Sequence, residues 1–417
     1  MDLKRIVVTG LGAITPIGNT FQEYWKALVN GVSGASPITL FDSTNFKTQF
    51  ACEIKNYNPE DYFERKDVRK HDRSAQFGLI STREAMQDSK LMDFTELDKT
   101  RVGVIWGSGI GGLNTFEQEV TAYAQGNGIP RFNPFFIPKM IADMTPGQIS
   151  IEYGFTGANY NITSACASSS NAIIDALMLI RLGKADVIVA GGSEATICAS
   201  GVGGFNAMHA MSTRNDDPKT ASRPFDKDRD GFVLGEGSGT LILEEYEHAV
   251  KRGAKIYAEI VGGGLSSDAN HITAPHPEGM GAHLVMKNAL ADANSIGIND
   301  IDYINVHGTS TPLGDLAEIK AIQRLFGEHA YDLSISSTKS MTGHLLGAAG
   351  VIEAIACIGA ILNGIIPPTI NHFTDDEAFD PKLDFTFNQA KKKEINYAMN
   401  NTFGFGGHNA CILFKKV

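Results

Sequence analysis

Along the chain, short apolar and largely β-branched runs alternate with longer stretches in which apolar positions recur every three or four residues. Runs of the first kind predict strands covered on both faces, and stretches of the second kind predict helices. Strands are predicted at Ile6–Thr9, Val102–Trp106, Val187–Ala190, Thr240–Leu243, Ala258–Gly262, Tyr303–Val306 and Cys411–Phe414. Helices are predicted at Phe21–Asn30, Ser74–Asp88, Ser168–Leu182, Glu244–Arg252, Gly281–Ala293, Asp315–Phe326 and Leu345–Asn363. Such alternation argues for an α/β protein. Asn215-Asp216-Asp217-Pro218 and the stretch His372–Glu377 read as surface loops.

A pattern recurs at long range. A Ser/Thr-rich loop (Thr163, Ser164) precedes Cys166 and leads into a small-residue helix ending near Gly183. A second such loop (Ser336, Ser337, Thr338) precedes His344 and leads into a small-residue helix ending near Gly364. A duplicated architecture would bring the two helix N-termini face to face. The second helix is long and apolar enough to imitate a membrane span, yet Glu353 and Asn363 lie within it. A carboxylate at mid-membrane costs about 2.5–3.5 kcal/mol on the insertion scale. Its many glycines and alanines suit close backbone packing, so a helix buried inside a water-soluble domain is expected.

Composition narrows the function. Lys and Arg total 36 against 47 Asp and Glu, a net charge of −11. A chain this acidic is poorly suited to nucleic acid or to an anionic membrane surface, both of which ask for a basic face. Apolar residues make up 43%, enough for a large core and too many for disorder. The five cysteines are odd in number and widely spaced, with no C-x-x-C, so neither a disulfide framework nor a zinc ribbon is expected. The sequence runs from Met1 directly into the first strand without a secretory signal pattern, and a cytoplasmic location is expected.

Gly107-Ser108-Gly109-Ile110-Gly111-Gly112 follows a predicted strand and satisfies G-x-G-x-x-G, but no acidic residue stands where a dinucleotide site requires one. These glycines are instead expected to let the backbone pass close to another segment. His271 and His276 have no third ligand nearby, and no metal site is expected.

Cys166 differs from the other cysteines because a polar loop precedes it and a helix starts beside it. A free thiol with a pKa near ~8.5 is only slightly ionised at neutral pH. A helix N-terminus shifts that value by about one unit, and an apolar pocket opposes the shift. A nucleophile here therefore wants a basic neighbour. His307, Lys339 and His344 are the candidates, and one thiol with two imidazoles can serve two chemistries. A cysteine hydrolase needs one histidine and, in the papain-like case, a local motif that is missing here. A Claisen condensation stores an acyl group on the thiol and then stabilises an enolate-like oxygen, for which two neutral imidazole N–H groups are suited.

Five pieces in order carry a resemblance: Val7–Pro16, Ser222–Gly237, Val306–Gly314, Ser337–Gly350 and Asn401–Gly407. With them the chain resembles the elongating β-ketoacyl-acyl-carrier-protein synthases of dissociated fatty-acid synthesis, of the synthase II kind. That resemblance implies a thiolase-like, duplicated α/β/α/β/α five-layer fold. The first half, residues 1–255, would carry the nucleophile, and residues 256–417 the two histidines. It implies Cys166 as acyl acceptor and His307 with His344 as the pair that activates the malonyl thioester. Lys339 and Glu353 would form a supporting charge pair, with Asp315 and Glu318 as acidic residues nearby. Phe405 would be a mobile gate, and its amide would join that of Cys166 in an oxyanion hole. Thr309, Thr311 and Thr273 would contact the pantetheine arm, while Ile110 and Phe205 would line an acyl tunnel. The partners implied are an acyl carrier protein and a second copy of the chain. No metal or cofactor is implied beyond the carrier's own phosphopantetheine.

Lys66, Arg69, Lys70 and Arg73, read as one helical face, are the candidates for carrier docking. In the sequence, Ser164-Ala165 stands where the family commonly has Thr-Ala, and His209 where some members have Arg. A polyketide or aryl-polyene ketosynthase of the same chemistry remains open. A non-catalytic partner subunit would lack the cysteine.

Overall fold

The computed structural model describes residues 3–417. Five strands come from the first part of the chain: β1 (Ile6–Ile14), β2 (Val102–Gly107), β3 (Asn159–Ile162), β4 (Val187–Glu194) and β5 (Gly237–Glu245). They lie in the order β3-β2-β4-β5-β1. β2 runs parallel to β3 and β4, and β5 runs antiparallel to β4 and β1. Five more follow: β6 (Ala258–Ser267), β7 (Tyr303–Asn305), β8 (Ser334–Ser336), β9 (Tyr397–Gly404) and β10 (His408–Lys415). Their order is β8-β7-β9-β10-β6, with the same succession of parallel and antiparallel pairs. The second set thus repeats the first strand for strand. β1 and β6 pair antiparallel, Ile6 opposite Ile260 and Val8 opposite Ala258, which joins the sets into one ten-stranded sheet.

Five helices position the site. They are α1 (Arg73–Ser89), α2 (Ser168–Arg181), α3 (Met280–Ala293), α4 (Pro312–Phe326) and α5 (Ala349–Asn363). α1 packs on β1, β5 and β4, and α3 packs on β6 and β10. A Cβ at Gly12 would lie 1.9 Å from the Ser81 carbonyl, so α1 rests directly on the backbone of β1. α2 and α5 touch strands of both sets and each other, which makes them the middle of five α/β/α/β/α layers. Their own contact is close: Val351 N–H donates to Ser169 Oγ at 3.0 Å, and a Cβ on Gly350 would meet Ser170 Oγ. Every residue of α5 from Ala349 to Ile361 is buried, as expected for a helix that is apolar all round inside a large domain.

Predicted boundaries moved where polar residues are buried. β5 continues through Glu244 and Glu245, and the helix expected from Glu244 begins at Tyr246. The Glu244 carboxylate is fully buried and accepts bonds from Arg252 and Thr9, so a charged residue ends a strand there. The helix expected from Leu345 opens as a separate turn, Leu346–Ala348, with Leu346 at φ +47°. β3, β8, β9 and the helices Leu113–Gln125, Phe136–Met140, Met144–Tyr153 and Ala199–Ala207 lie outside the predicted elements.

Candidate active site

Cys166 stands just ahead of α2 in a loop whose turn is fixed by hydroxyls. Ser164 N–H donates to Ser168 Oγ at 3.0 Å, Ser168 Oγ donates to the Ala165 carbonyl at 2.6 Å, and Ser164 Oγ donates to Asn171 Oδ1 at 2.9 Å. Ala165 is held at φ +50°, a conformation uncommon for a residue with a Cβ. The thiol itself is buried. That burial pushes its pKa up to about 12, against the pull of the Lys339 charge and of the Phe405 and Cys166 amides. Desolvation therefore outweighs the helix N-terminus, and the resting thiol is neutral.

The neighbour such a thiol needs is present. His344 Nε2 lies 3.0 Å from Cys166 Sγ. The His344 backbone is fixed by its N–H bond to the Val233 carbonyl at 2.7 Å and by the Gly235 N–H bond to its own carbonyl at 2.9 Å. The His307 ring sits 5.3 Å from that of His344, centroid to centroid, and nearly perpendicular to it. Phe403 flanks His307, and Phe232 flanks His344. Burial, reinforced by the Lys339 charge, holds both imidazoles well below the ordinary histidine pKa, so both are neutral at pH 7.

Charged groups stand behind the rings. Lys339 and Glu353 form a buried ion pair, and burial pushes the Glu353 carboxyl up to about 7. Glu318, on α4, accepts the N–H groups of His307 and Gly308 at 2.9 Å each and so fixes the loop that carries the first histidine. Asp315 is one turn away and turns elsewhere: it accepts from Phe225 N–H at 3.1 Å and faces Arg229 at 3.5 Å. Asp315 thus anchors the Ser222–Gly237 segment and does not face the imidazoles.

One cavity of about 480 Å³ joins these groups. Cys166, His307, His344 and Phe405 line it, as do Thr273, Thr309, Thr311, Ile110 and Phe205. Every residue expected at the pantetheine and acyl positions therefore faces the same space. Sequence reading missed Phe232, Phe403, Met208 and Leu346 on its walls. These are apolar residues in apolar surroundings, with no chemical signal of their own. Phe405 lies in a turn with Gly406 at φ +85° and Gly407 at φ +76°.

The docking candidates need correction. Residues 66–73 are not one helix. A short turn of helix, Arg65–Val68, ends before Asp72 starts α1 as its N-cap, accepting from Ser74 N–H at 2.9 Å. Arg73 points inward, where its guanidinium pairs with the fully buried Glu236. Lys66 pairs with Glu64 and Lys70 with Asp67. Arg69 is exposed and forms no salt bridge among the described residues. His271 and His276 act within their loops: His271 Nδ1 accepts from Thr273 and Ala274 N–H, and His276 Nδ1 accepts from Glu278 N–H.

With this geometry in view, comparison with known proteins is direct. Residues 3–249 match the beta-ketoacyl synthase N-terminal domain, and residues 257–373 match the beta-ketoacyl synthase C-terminal domain. The chain belongs to the beta-ketoacyl synthase family. It is 47% identical to 3-oxoacyl-[acyl-carrier-protein] synthase 2 of Vibrio harveyi, over the whole of both chains. A beta-ketoacyl synthase from Burkholderia phymatum superposes with a TM-score of 0.91 at 36% identity, covering 99% of this chain and 100% of the other. A type II polyketide ketosynthase solved with its acyl-carrier protein superposes with a TM-score of 0.90 at 34% identity, over the whole of both chains. These family members share the five-layer thiolase-like fold described above.

Proposed function

We propose that the chain catalyses the decarboxylative Claisen condensation of an acyl-carrier thioester with malonyl-carrier, giving a 3-oxoacyl-carrier two carbons longer. This is the elongation step of type II fatty-acid synthesis. The observation that carries the reading is a neutral thiol 3.0 Å from one imidazole, with a second imidazole beside it in the same cavity. Likeness to a synthase 2 at 47% identity, against 34% for the type II polyketide ketosynthase, favours fatty-acid elongation over a polyketide pathway.

In the first half-reaction the Cys166 sulfur attacks the acyl thioester carbonyl as His344 takes the thiol proton. The amides of Cys166 and Phe405, both of which favour the thiolate, stabilise the tetrahedral oxyanion. Collapse of that intermediate expels the carrier thiol, which takes the proton. In the second, malonyl-carrier occupies the vacated arm position along Thr273, Thr309 and Thr311. The two neutral imidazoles donate N–H bonds to its thioester carbonyl, carbon dioxide leaves, and the carbanion attacks the acyl thioester on Cys166. The C–S bond breaks, and the departing thiolate takes one proton from water through His344. Lys339 keeps the imidazoles unprotonated, and Glu353 balances Lys339. Glu318 holds the His307 loop.

Residues 1–255 and 256–417 are taken as the two halves, each supplying one side of this chemistry. The substrates arrive on the phosphopantetheine of an acyl carrier protein, and the chemistry calls on no further cofactor. Of the four docking candidates, Lys66 and Arg69 are the exposed ones and would meet an acidic carrier. The working unit is a homodimer. In support, strand β3 pairs on one side only, with β2. Nearby, the segment from Leu113 to Ile141 exposes Phe116, Tyr123, Phe132, Ile137 and Ile141, an apolar surface of the kind that marks an interface. The five free cysteines suit the reducing cytoplasm.

Intact mass spectrometry tests the reading. Incubation with acyl-carrier should add one acyl group to Cys166. Malonyl-carrier should then remove it as a 3-oxoacyl-carrier two carbons longer appears. An adduct released as free acid would favour a hydrolase instead.

A further inference from the structure

The glycine loop that follows β2 has a function that nucleotide binding does not explain. Glu194, the last residue of β4, is fully buried. Its Oε2 accepts the N–H groups of Gly109 at 2.7 Å and Gly347 at 3.0 Å. Its Oε1 accepts those of Ile110 at 3.2 Å and Gly111 at 3.3 Å. Loops of this sequence commonly turn their amides toward a phosphate; here the chain's own carboxylate fills that place. The Ser108 hydroxyl donates to Oε1 at 3.4 Å, and no Lys or Arg forms an ion pair with the carboxylate among the described residues; burial pushes its pKa up to about 7 against the pull of the backbone amides.

Packing around the carboxylate is tight on three sides. A Cβ on Gly109 would lie 2.7 Å from Oε2 and 3.3 Å from the carbonyl of Ala165, the residue before the nucleophile. A Cβ on Gly347 would lie 2.3 Å from Gly109 N. The loop carrying Ile110, the turn carrying Cys166 and the segment after His344 therefore converge on one side chain. Ile110 projects into the cavity alongside Cys166 and Phe205, so its backbone position sets the width available beside the thiol.

We infer that Glu194 is a positioning residue for acyl-chain selection, clamping the Ile110 wall of the cavity to the backbone that follows His344. This rests on the reading of Cys166 as acyl acceptor. The substrate class concerned is the acyl chain itself, and Glu194 acts on it only through Ile110.

The test measures the rate of Cys166 acylation by intact mass spectrometry over a ladder of acyl-carrier donors from short to long. The enzymes compared are wild type, Glu194→Gln, Gly109→Ala, Ile110→Ala and the double variant Glu194→Gln/Ile110→Ala. Losing one hydrogen bond to a charged group is worth about tenfold or more, so the long-to-short rate ratio should change by about that factor in Glu194→Gln. Gly109→Ala, which moves the partner loop and keeps the carboxylate, should change it too. It decides alone if Glu194→Gln does not fold. In the Ile110→Ala background, Glu194→Gln should change the ratio less than about twofold, because coupled residues are not additive. Uniform slowing at every length would overturn the inference, since a merely structural carboxylate would act that way. So would a full effect persisting without Ile110. Absence of any adduct in wild type would instead overturn the acyl-acceptor reading beneath it.

Discussion

The two halves share strand order and direction, yet their last connections differ. β9 passes to β10 through residues 405–407, a turn that two left-handed glycines allow. β4 passes to β5 through residues 195–236, which contain the helix Ala199–Ala207 and give Phe205, Met208, His209 and Phe232 to the cavity. One place in the repeat thus yields a three-residue turn, the hinge expected from the resemblance, and the other yields a wall of the cavity. The central helices differ in the same spirit. Cys166 precedes α2 and His344 precedes α5, both buried and both neutral. Burial raises the pKa of one and lowers that of the other. The repeat supplies two equivalent buried positions, and the side chain at each decides whether it can offer a nucleophilic sulfur or a basic ring nitrogen.

The largest expected effect comes from emptying the first position. Cys166→Ala should abolish acylation and condensation while leaving a folded dimer, read by mass spectrometry and gel filtration. Emptying the second is expected to slow both half-reactions, because His344→Ala also removes the base 3.0 Å from the thiol. His307→Ala should split them: it should still become acylated, yet condense about 10²–10⁴-fold more slowly, read by single-turnover assays of acylation and of condensation on pre-acylated enzyme.

Lys339→Ala removes the charge that acts on both positions. It leaves Glu353 buried without a partner, which typically costs about 3–5 kcal/mol and should show in the denaturation midpoint. The folded fraction should also shift its pH profile. Lys339 lowers both histidine pKa values, so its removal raises them. The imidazoles would then protonate at higher pH, and the acidic limb of condensation should move upward. The smallest effect is expected at the hinge. Gly406→Ala forces a Cβ into φ +85°, at about 1–2 kcal/mol, and should slow acylation without changing the wall built by residues 195–236.

Much of this was legible in the sequence because apolar periodicity and reactive side chains announce themselves. The seven predicted strands all lie in the ten-stranded sheet; Cys166 and His344 meet as the repeat implied, and His307 joins them. β9 escaped notice because Asn400, Asn401 and Thr402 give it a polar centre. Those side chains are buried and bonded to α5, Glu318 and α2, partners distant in sequence. The docking face failed for a related reason. Helical spacing placed Arg73 beside Lys66, but Asp72 starts a new helix and Glu236 draws Arg73 inward. The G-x-G-x-x-G loop was read as a close backbone crossing, and it passes against residues 139–140 and Gly347, yet nothing local names Glu194 as the group its amides hold.

Labelled carbon dioxide release from malonyl-carrier by Cys166→Ala tests the division of labour between the halves most directly. The expected result is release without condensation, lost when His307→Ala is added. No release from Cys166→Ala, or undiminished release from the double variant, would contradict it.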